Sequence, residues 1–176
     1  MNEDTLSRKT LFEGKVVRLH LDKVRLENGR EASREIVEHG GGVAVLALVD
    51  GDVLFVRQYR HPAGQALLEL PAGKLEKGED PAACAARELE EETGYRPSGV
   101  RELGRFYPTP GYCTEILYMY VAGGLVPTAQ NLDPGEFLDV LRIPLDDALA
   151  ACFDGRIIDA KTALALLLYK NGGAEQ

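Results

Sequence analysis

Residues 73–95 read GKLEKGEDPAACAARELEEETGY, and the organisation of the chain follows from this stretch. Asp80 is a good N-cap, Pro81 suits the first helical position and Gly94 suits the residue just past the end, so a helix is predicted between them. On a helical wheel with Glu88 at zero, Glu92 falls about 40° to one side and Glu91 about 60° to the other. Ala82, Ala85, Ala86, Leu89 and Thr93 gather on another sector, which can face a sheet. Three carboxylates one turn apart repel one another unless something positive sits among them. Hard oxygen donors of this kind suit Mg²⁺ or Mn²⁺, which use a few carboxylates and leave positions for water and phosphates. The run Glu90-Glu91-Glu92 taken alone reads as a solvated acidic surface, as most charge runs are.

Working outward, the segments on either side read mostly as strand. Val17, Leu19, Leu21, Val24 and Leu26 fall near a period of two, Glu27-Asn28-Gly29-Arg30 supplies a turn, and residues 33–39 return as a second strand. Gly40-Gly41-Gly42 separates this arm, residues 1–40, from a main domain over residues 41–176. Residues 43–49 are nearly unbroken apolar and read as a central strand buried on both faces. Asp50-Gly51 is a hairpin turn into residues 53–58, and residues 67–70 run into Pro71-Ala72-Gly73. Strands are predicted at 100–106, 116–121 and 137–143, and helices at 145–153 and 160–170. This order gives an α/β protein with a mixed sheet flanked by helices.

Composition bounds the function. A chain of 176 residues makes one domain with an appended arm. Twenty Lys and Arg against 28 Asp and Glu give a formal charge of -8, a poor match for nucleic acid. The start, MNEDTLSRKT, lacks the basic-then-apolar order of a signal peptide. The apolar runs at 43–49 and 163–169 are far short of the ~20 residues that span a membrane. Cys84, Cys113 and Cys152 lack metal-like spacing and suit a reducing cytoplasm, where the protein is expected to be soluble. His20, His39 and His61 are not spaced as metal ligands either, and Cys84 has no base beside it.

The offsets Gly-x5-Glu-x7-Arg-Glu-(apolar)-x-Glu-Glu-x-Gly are met by Gly73, Glu79, Arg87, Glu88, Leu89, Glu91, Glu92 and Gly94. With each fixed residue expected about one time in fifteen, seven matches at set offsets arise by chance well below ~10⁻⁷ per start position. This stretch resembles the Nudix box, and the chain resembles the Nudix hydrolases; Tyr95 stands where the family has an aliphatic residue. The resemblance implies a Nudix-type α/β/α sandwich around a mixed sheet, and hydrolysis of a nucleoside diphosphate linked to another group. It implies a metal site of Glu88 and Glu92, often with Glu91, completed by the Ala72 carbonyl. Arg87 would orient the glutamates, for example through Glu79. A divalent ion there would neutralise the pyrophosphate and polarise a water.

Tyr107-Pro108-Thr109-Pro110-Gly111-Tyr112, with Glu115 beyond it, resembles the ADP-ribose pyrophosphatase subgroup. So do Arg34-Glu35-Ile36-Val37-Glu38-His39 and the V-x-Q-x-R stretch Val56-Arg57-Gln58-Tyr59-Arg60. By that resemblance Arg34, Glu35 and Arg60 contact the substrate, the backbone at Pro110-Gly111 approaches the terminal ribose, and Glu115 binds its hydroxyls. Arg57 reads as structural. The arm would exchange with a second subunit in a homodimer. Relatives carry a richer acidic loop where this chain has Asn131-Leu132-Asp133-Pro134-Gly135-Glu136, so the general base stays open between Glu136 and Glu91. The expected reaction is metal-dependent cleavage of ADP-ribose or a related ADP-sugar to AMP and a sugar phosphate. The alternatives are hydrolysis of another nucleoside diphosphate derivative or damaged nucleotide, and a non-catalytic nucleotide sensor, which would have no use for the intact Arg87-Glu88…Glu91-Glu92 set.

Overall fold

Asp4–Glu13 forms a strand, β1, although its sequence shows no period of two. It pairs antiparallel with β2, Val17–Arg25, from Asp4↔Arg25 to Glu13↔Arg18. Two register shifts, between Thr5 and Ser7 and between Thr10 and Phe12, break the alternation that would have announced it. A turn with Gly29 at φ 79° leads into β3, Glu31–His39, and the three strands make one sheet in the order β1-β2-β3. The buried face of β2 carries His20, Asp22 and Val24, while Leu21 is exposed. The period of two through Val17, Leu19 and Leu21 therefore follows the more exposed face of the strand, with Val17 and Leu19 half-buried. The polar face is buried because its groups are paired: Arg8 donates twice to Asp22 at 2.8 and 2.7 Å, and His20 bonds Thr10 and Glu38.

In the computed structural model, which describes residues 2–173, this sheet belongs to one of two compact units. The unit comprises the residues up to Gly41 together with Tyr107–Ile116. That second segment lies along β3: the Val37 amide donates to the Tyr112 carbonyl at 2.7 Å, and the Thr114 amide donates to the Val37 carbonyl at 2.9 Å.

The other unit comprises Gly42–Phe106 and the residues from Leu117 onward. Its strands are β4 (Gly42–Val49), β5 (Asp52–Arg60), β6 (Gln65–Glu69), β7 (Ala72–Lys74), β8 (Tyr95–Arg96), β9 (Gly99–Phe106), β10 (Leu117–Gly123), β11 (Val126–Pro127) and β12 (Leu138–Pro144). Its helices are α1 (Pro81–Thr93), α2 (Leu145–Asp154) and α3 (Ala160–Leu168). A seven-stranded sheet runs β12-β5-β4-β10-β9, with β6 added to β5 and β7 to β4. Only the β4–β10 pair, Gly42↔Leu117 to Ala47↔Ala122, is parallel, so the sheet is mixed. Among the described residues no helix is long and apolar enough to cross a membrane.

The central strand β4 serves both layers. Leu46 packs with Phe55, Leu70 and Met119 against Ala148, Ala151, Ala165 and Leu166 of α2 and α3. Val43, Val45 and Ala47 pack with Leu54 against Cys84, Ala85 and Leu89 of α1. Each large apolar side chain so buried contributes about 1.5–3 kcal/mol. The result is the α/β/α layering expected from the sequence, with α1 alone on one face. Asp80 caps α1 by accepting from the Ala83 amide at 3.0 Å, and Gly94 closes it at φ 72° with its amide on the Glu90 carbonyl. Beyond Leu168 the predicted third helix changes to a wider turn, Tyr169–Gly173.

Candidate active site

The box helix and the short strand β7 build the site. A Cβ at Gly73 would collide with the Glu88 carboxylate, so glycine is required there by close approach rather than by backbone conformation. The neighbouring Ala72 amide donates to Glu92 Oε2 at 3.0 Å. Glu92 is only 2% exposed and, among the described residues, has no cation paired with it. Burial pushes its carboxyl up to about 8, and the negative charges of Glu136 and Glu88 add to the shift. Glu88 is also raised above the usual range, chiefly by burial, against the pull of Arg87. The wheel grouped Glu92 with Glu88 and Glu91 on one face; in the structure Glu92 is buried, as Leu89 and Thr93 are.

Arg87 fastens the other carboxylates. Its Nε and Nη2 donate to Glu79 at 2.9 and 3.1 Å, while Nη1 donates to Glu88 at 2.9 Å and to Glu91 at 2.8 Å. The guanidinium holds the Glu79 carboxyl down at about 2. Because Glu79 also accepts from the Glu76 amide, the loop before the helix is tied to the helix itself. Cys84 is buried, and its thiol is pushed up to about 12, so it offers no thiolate.

Glu136 reaches this region on a loop anchored to the end of α1. The Thr128 amide donates to the Gly94 carbonyl at 2.7 Å, Gln130 Nε2 to the Glu92 carbonyl at 2.7 Å, and the Asn131 amide to the Glu91 carbonyl at 2.9 Å. These bonds satisfy helix-terminal carbonyls that would otherwise lack partners. A turn follows, with Gly135 at φ 88° and the Glu136 amide on the Asp133 carbonyl. Glu136 Oε1 accepts from Gln58 Nε2 at 3.0 Å.

Arg60, expected to meet substrate, is held by Glu69 through Nε at 2.7 Å and Nη2 at 2.8 Å. Glu69 is 1% exposed and also pairs with Lys161, which pairs with Asp159 at the start of α3. Burial opposes its ionisation, but Arg60 and Lys161 together hold the Glu69 carboxyl below its usual range. The sequence reading missed Glu69 and Lys161; a lone acid inside the apolar run Leu67–Leu70 was the available sign. Arg57 pairs with Asp139 across β5 and β12, in keeping with a structural part.

The remaining candidates lie in the other unit. Arg34 donates from Nε and Nη2 to the two carboxylate oxygens of Glu3. Glu35, its neighbour on β3, points to the opposite face of that sheet. Pro110 and Gly111 sit in the segment laid along β3, and Glu115 lies 3.6 Å from His39 Nδ1.

Among the described residues no three His, Cys, Asp or Glu side chains already converge as a metal-holding group. The donor set nevertheless suits a divalent cation: hard carboxylate oxygens of Glu88, Glu91 and Glu92, one of them buried without a counter-ion, in the field of Glu136. The Ala72 backbone lies against this set, since its amide donates to Glu92 at 3.0 Å.

The NUDIX domain pattern matches residues 38–164, and the pattern for a nucleoside diphosphate sugar hydrolase N-terminal domain matches residues 3–37. The chain therefore belongs to the Nudix family, and it is a Nudix hydrolase. It is 43% identical to an ADP-ribose pyrophosphatase of Bacillus subtilis (strain 168), over 94% of this chain and 91% of that one. It is 46% identical to a methanol dehydrogenase activator of Bacillus methanolicus, over 93% and 90%. A crystal structure of an ADP compounds hydrolase superposes with a TM-score of 0.86 at 23% identity, covering 97% of this chain and 93% of the other, a likeness of fold.

Proposed function

We propose that the protein hydrolyses the pyrophosphate bond of ADP-ribose or a related ADP-sugar with Mg²⁺, or Mn²⁺ in its place, releasing AMP and a sugar phosphate. One observation carries the hydrolytic part: a buried Glu92 that, among the described residues, has no Lys or Arg paired with it and lies in the field of Glu88 and Glu136. The choice of an ADP-sugar draws support from the 43% identity to the Bacillus subtilis enzyme.

When bound, a divalent cation would neutralise the pyrophosphate and activate water for attack on phosphorus. Glu88, Glu92 and the Ala72 carbonyl would hold it, with Glu91 as a further ligand. Arg87 fixes the carboxylates by its three-way grip on Glu79, Glu88 and Glu91. Glu136 takes the proton of the attacking water. It is favoured over Glu91 because Arg87 already binds Glu91, while among the described residues Glu136 accepts only from the neutral amide of Gln58. Arg60 keeps one nitrogen, Nη1, outside its two bonds to Glu69, and offers it to a phosphate oxygen. Arg34, Glu35, Glu115 and the backbone of Pro110 and Gly111 bind the nucleoside and sugar ends.

The protein acts as a homodimer in the cytoplasm. Leu6, Leu11, Phe12, Val16 and Leu21, all exposed on the arm, support the dimer. Three free cysteines support a reducing compartment.

A relative named a GDP-mannose pyrophosphatase, from Yersinia pestis (strain Pestoides F) and 37% identical over 76% of this chain, favours a second reading, in which the same centre cleaves a different nucleoside diphosphate derivative. Release of nucleoside monophosphate from ADP-ribose, ADP-glucose, GDP-mannose and NAD⁺ decides between them. The first reading requires the highest kcat/KM with ADP-ribose or another ADP-sugar; a clear preference for NAD⁺ or the guanosine compound replaces it with the second.

A further inference from the structure

Gln58 carries two polar atoms, and the hydrolytic scheme above gives neither of them a task. It stands in the V-x-Q-x-R stretch, and strand alternation sets Leu54, Val56, Gln58 and Arg60 on one face of β5. Leu54 packs in the cluster that holds Cys84, Ala85 and Leu89 of α1, so this is the face turned toward the box helix. Cross-strand register places Gln58 opposite Leu138, two residues past Glu136.

The two ends of the Gln58 amide are in different situations. Nε2 donates to Glu136 Oε1 at 3.0 Å. Oε1 is, among the described residues, the one buried side-chain polar atom without a hydrogen-bond partner. Turning the amide around would set its oxygen against the Glu136 carboxylate, acceptor against acceptor, so the orientation is fixed by the pair. Oε1 has essentially no accessible surface, so Nε2 is the end of the amide that acts on the reaction centre, and a chain that leaves the other end of a buried amide unpaired gives up stability to keep it there.

We infer that Gln58 is a positioning residue of the hydrolytic centre, pinning one oxygen of Glu136 with Nε2 so that the other oxygen faces the attacking water. One water proton is directed at that free oxygen. The water oxygen then forms its bond to phosphorus and its proton passes to Glu136. The bridging P–O bond breaks with its electron pair on the departing phosphate, and Gln58 neither gains nor loses a proton. A carboxylate held by one oxygen presents the other in a fixed direction, where an unpinned one would rotate. The inference rests on Glu136 as the base, which is part of the reading above.

The test compares Gln58→Leu, Gln58→Glu, Glu136→Gln and the double variant Gln58→Leu/Glu136→Gln. The assay uses the best substrate of the panel above at saturating Mg²⁺. Gln58→Leu should lower kcat by roughly 10–100-fold with KM changed less than about threefold, because the interaction acts on the transition state and not on substrate binding. Its thermal midpoint should not fall, since the change removes an unpaired buried acceptor. Gln58→Glu keeps an acceptor, loses the donor and sets a second carboxylate against Glu136; it should be at least as slow, and it answers alone if Gln58→Leu fails to fold. The double variant should be no slower than Glu136→Gln, because Gln58 works through that same base. A normal kcat in Gln58→Leu alongside a slow Glu136→Gln overturns the inference and leaves the base in place. A normal kcat in Glu136→Gln overturns the base itself. Multiplying losses in the double variant, or recovery of Gln58→Leu at higher Mg²⁺, also overturns the inference, the latter in favour of a ligand to hydrated metal.

Discussion

The arm sheet and the box helix both bury carboxylates, and they treat them in opposite ways. In the arm, Asp22 is nearly inaccessible yet meets Arg8 in a two-bond fork at 2.7 and 2.8 Å. Glu38 meets Arg18 and His20, Glu31 meets Lys23, and Glu3 meets Arg34. On the box helix, Glu92 is as inaccessible to solvent as Asp22 but, among the described residues, accepts only a backbone amide. The contrast shows in their acidities: Arg8 holds the Asp22 carboxyl below its usual range, whereas Glu92 is pushed up to about 8. A buried charge normally brings its partner with it. Where the carboxylate serves the fold, the chain supplies the cation; at Glu92 it does not.

The strongest way to break this contrast is to neutralise one carboxylate of each kind. Glu92→Gln or Glu88→Gln should lower kcat by about 10³-fold or more while leaving the thermal midpoint unchanged or raised. Asp22→Asn should do the reverse, lowering the midpoint by weakening the two-bond fork from Arg8 and leaving kcat within about twofold. Chelation should abolish wild-type turnover, and Mg²⁺ or Mn²⁺ should restore it. Near-normal turnover in the Glu92 variant would remove the metal assignment.

A sharper cut lies within the site. Glu136→Gln should lower kcat by roughly 10²–10⁴-fold, the range of a general base, with little change in KM. Glu91→Gln should cost far less, since Arg87 retains Glu79 and Glu88. Inverted results would move the base to the helix.

The smallest effect concerns pH. The folded Glu79 carboxyl lies at about 2, below its ordinary 4.5, so its ion pair with Arg87 contributes stability above pH 4.5. That contribution falls away as the pH drops through about 2. The midpoint of wild type should therefore exceed that of Glu79→Gln most clearly above pH 5, and the two should converge toward pH 2. A gap that persists in acid would mean that Glu79 works through packing instead.

The box helix was readable because its information is local. Asp80, Pro81 and Gly94 fix its ends within the stretch itself, and the order Arg87, Glu88, Glu91, Glu92 sets the Arg87 grip by helical spacing alone. β1 was not readable: its register shifts scramble the alternation, and every one of its residues is exposed. A wheel gives the angle of Glu92 but not what covers it, so its burial under β7 emerged only with the fold. The Arg60–Glu69–Lys161 network was hidden for another reason. Its members lie on two strands and a distant helix, and no periodic pattern links them. Gln58 was in plain view in the V-x-Q-x-R stretch, but its significance depends on Glu136 lying across the sheet.

The one parallel pairing in the sheet bears on how activity is gained during folding. β4 and β10 join across a long intervening stretch that contains β5, β6, β7, all of α1 and β9. Closing so large a loop is slow, and little rewards the chain until it is done. The box helix packs on β4 and on its partner β7, so its acidic face cannot be set in place ahead of the sheet. Turnover in a refolding experiment should thus return in step with the slowest structural phase, and early helix formation, visible in the far ultraviolet, should bring no catalysis with it.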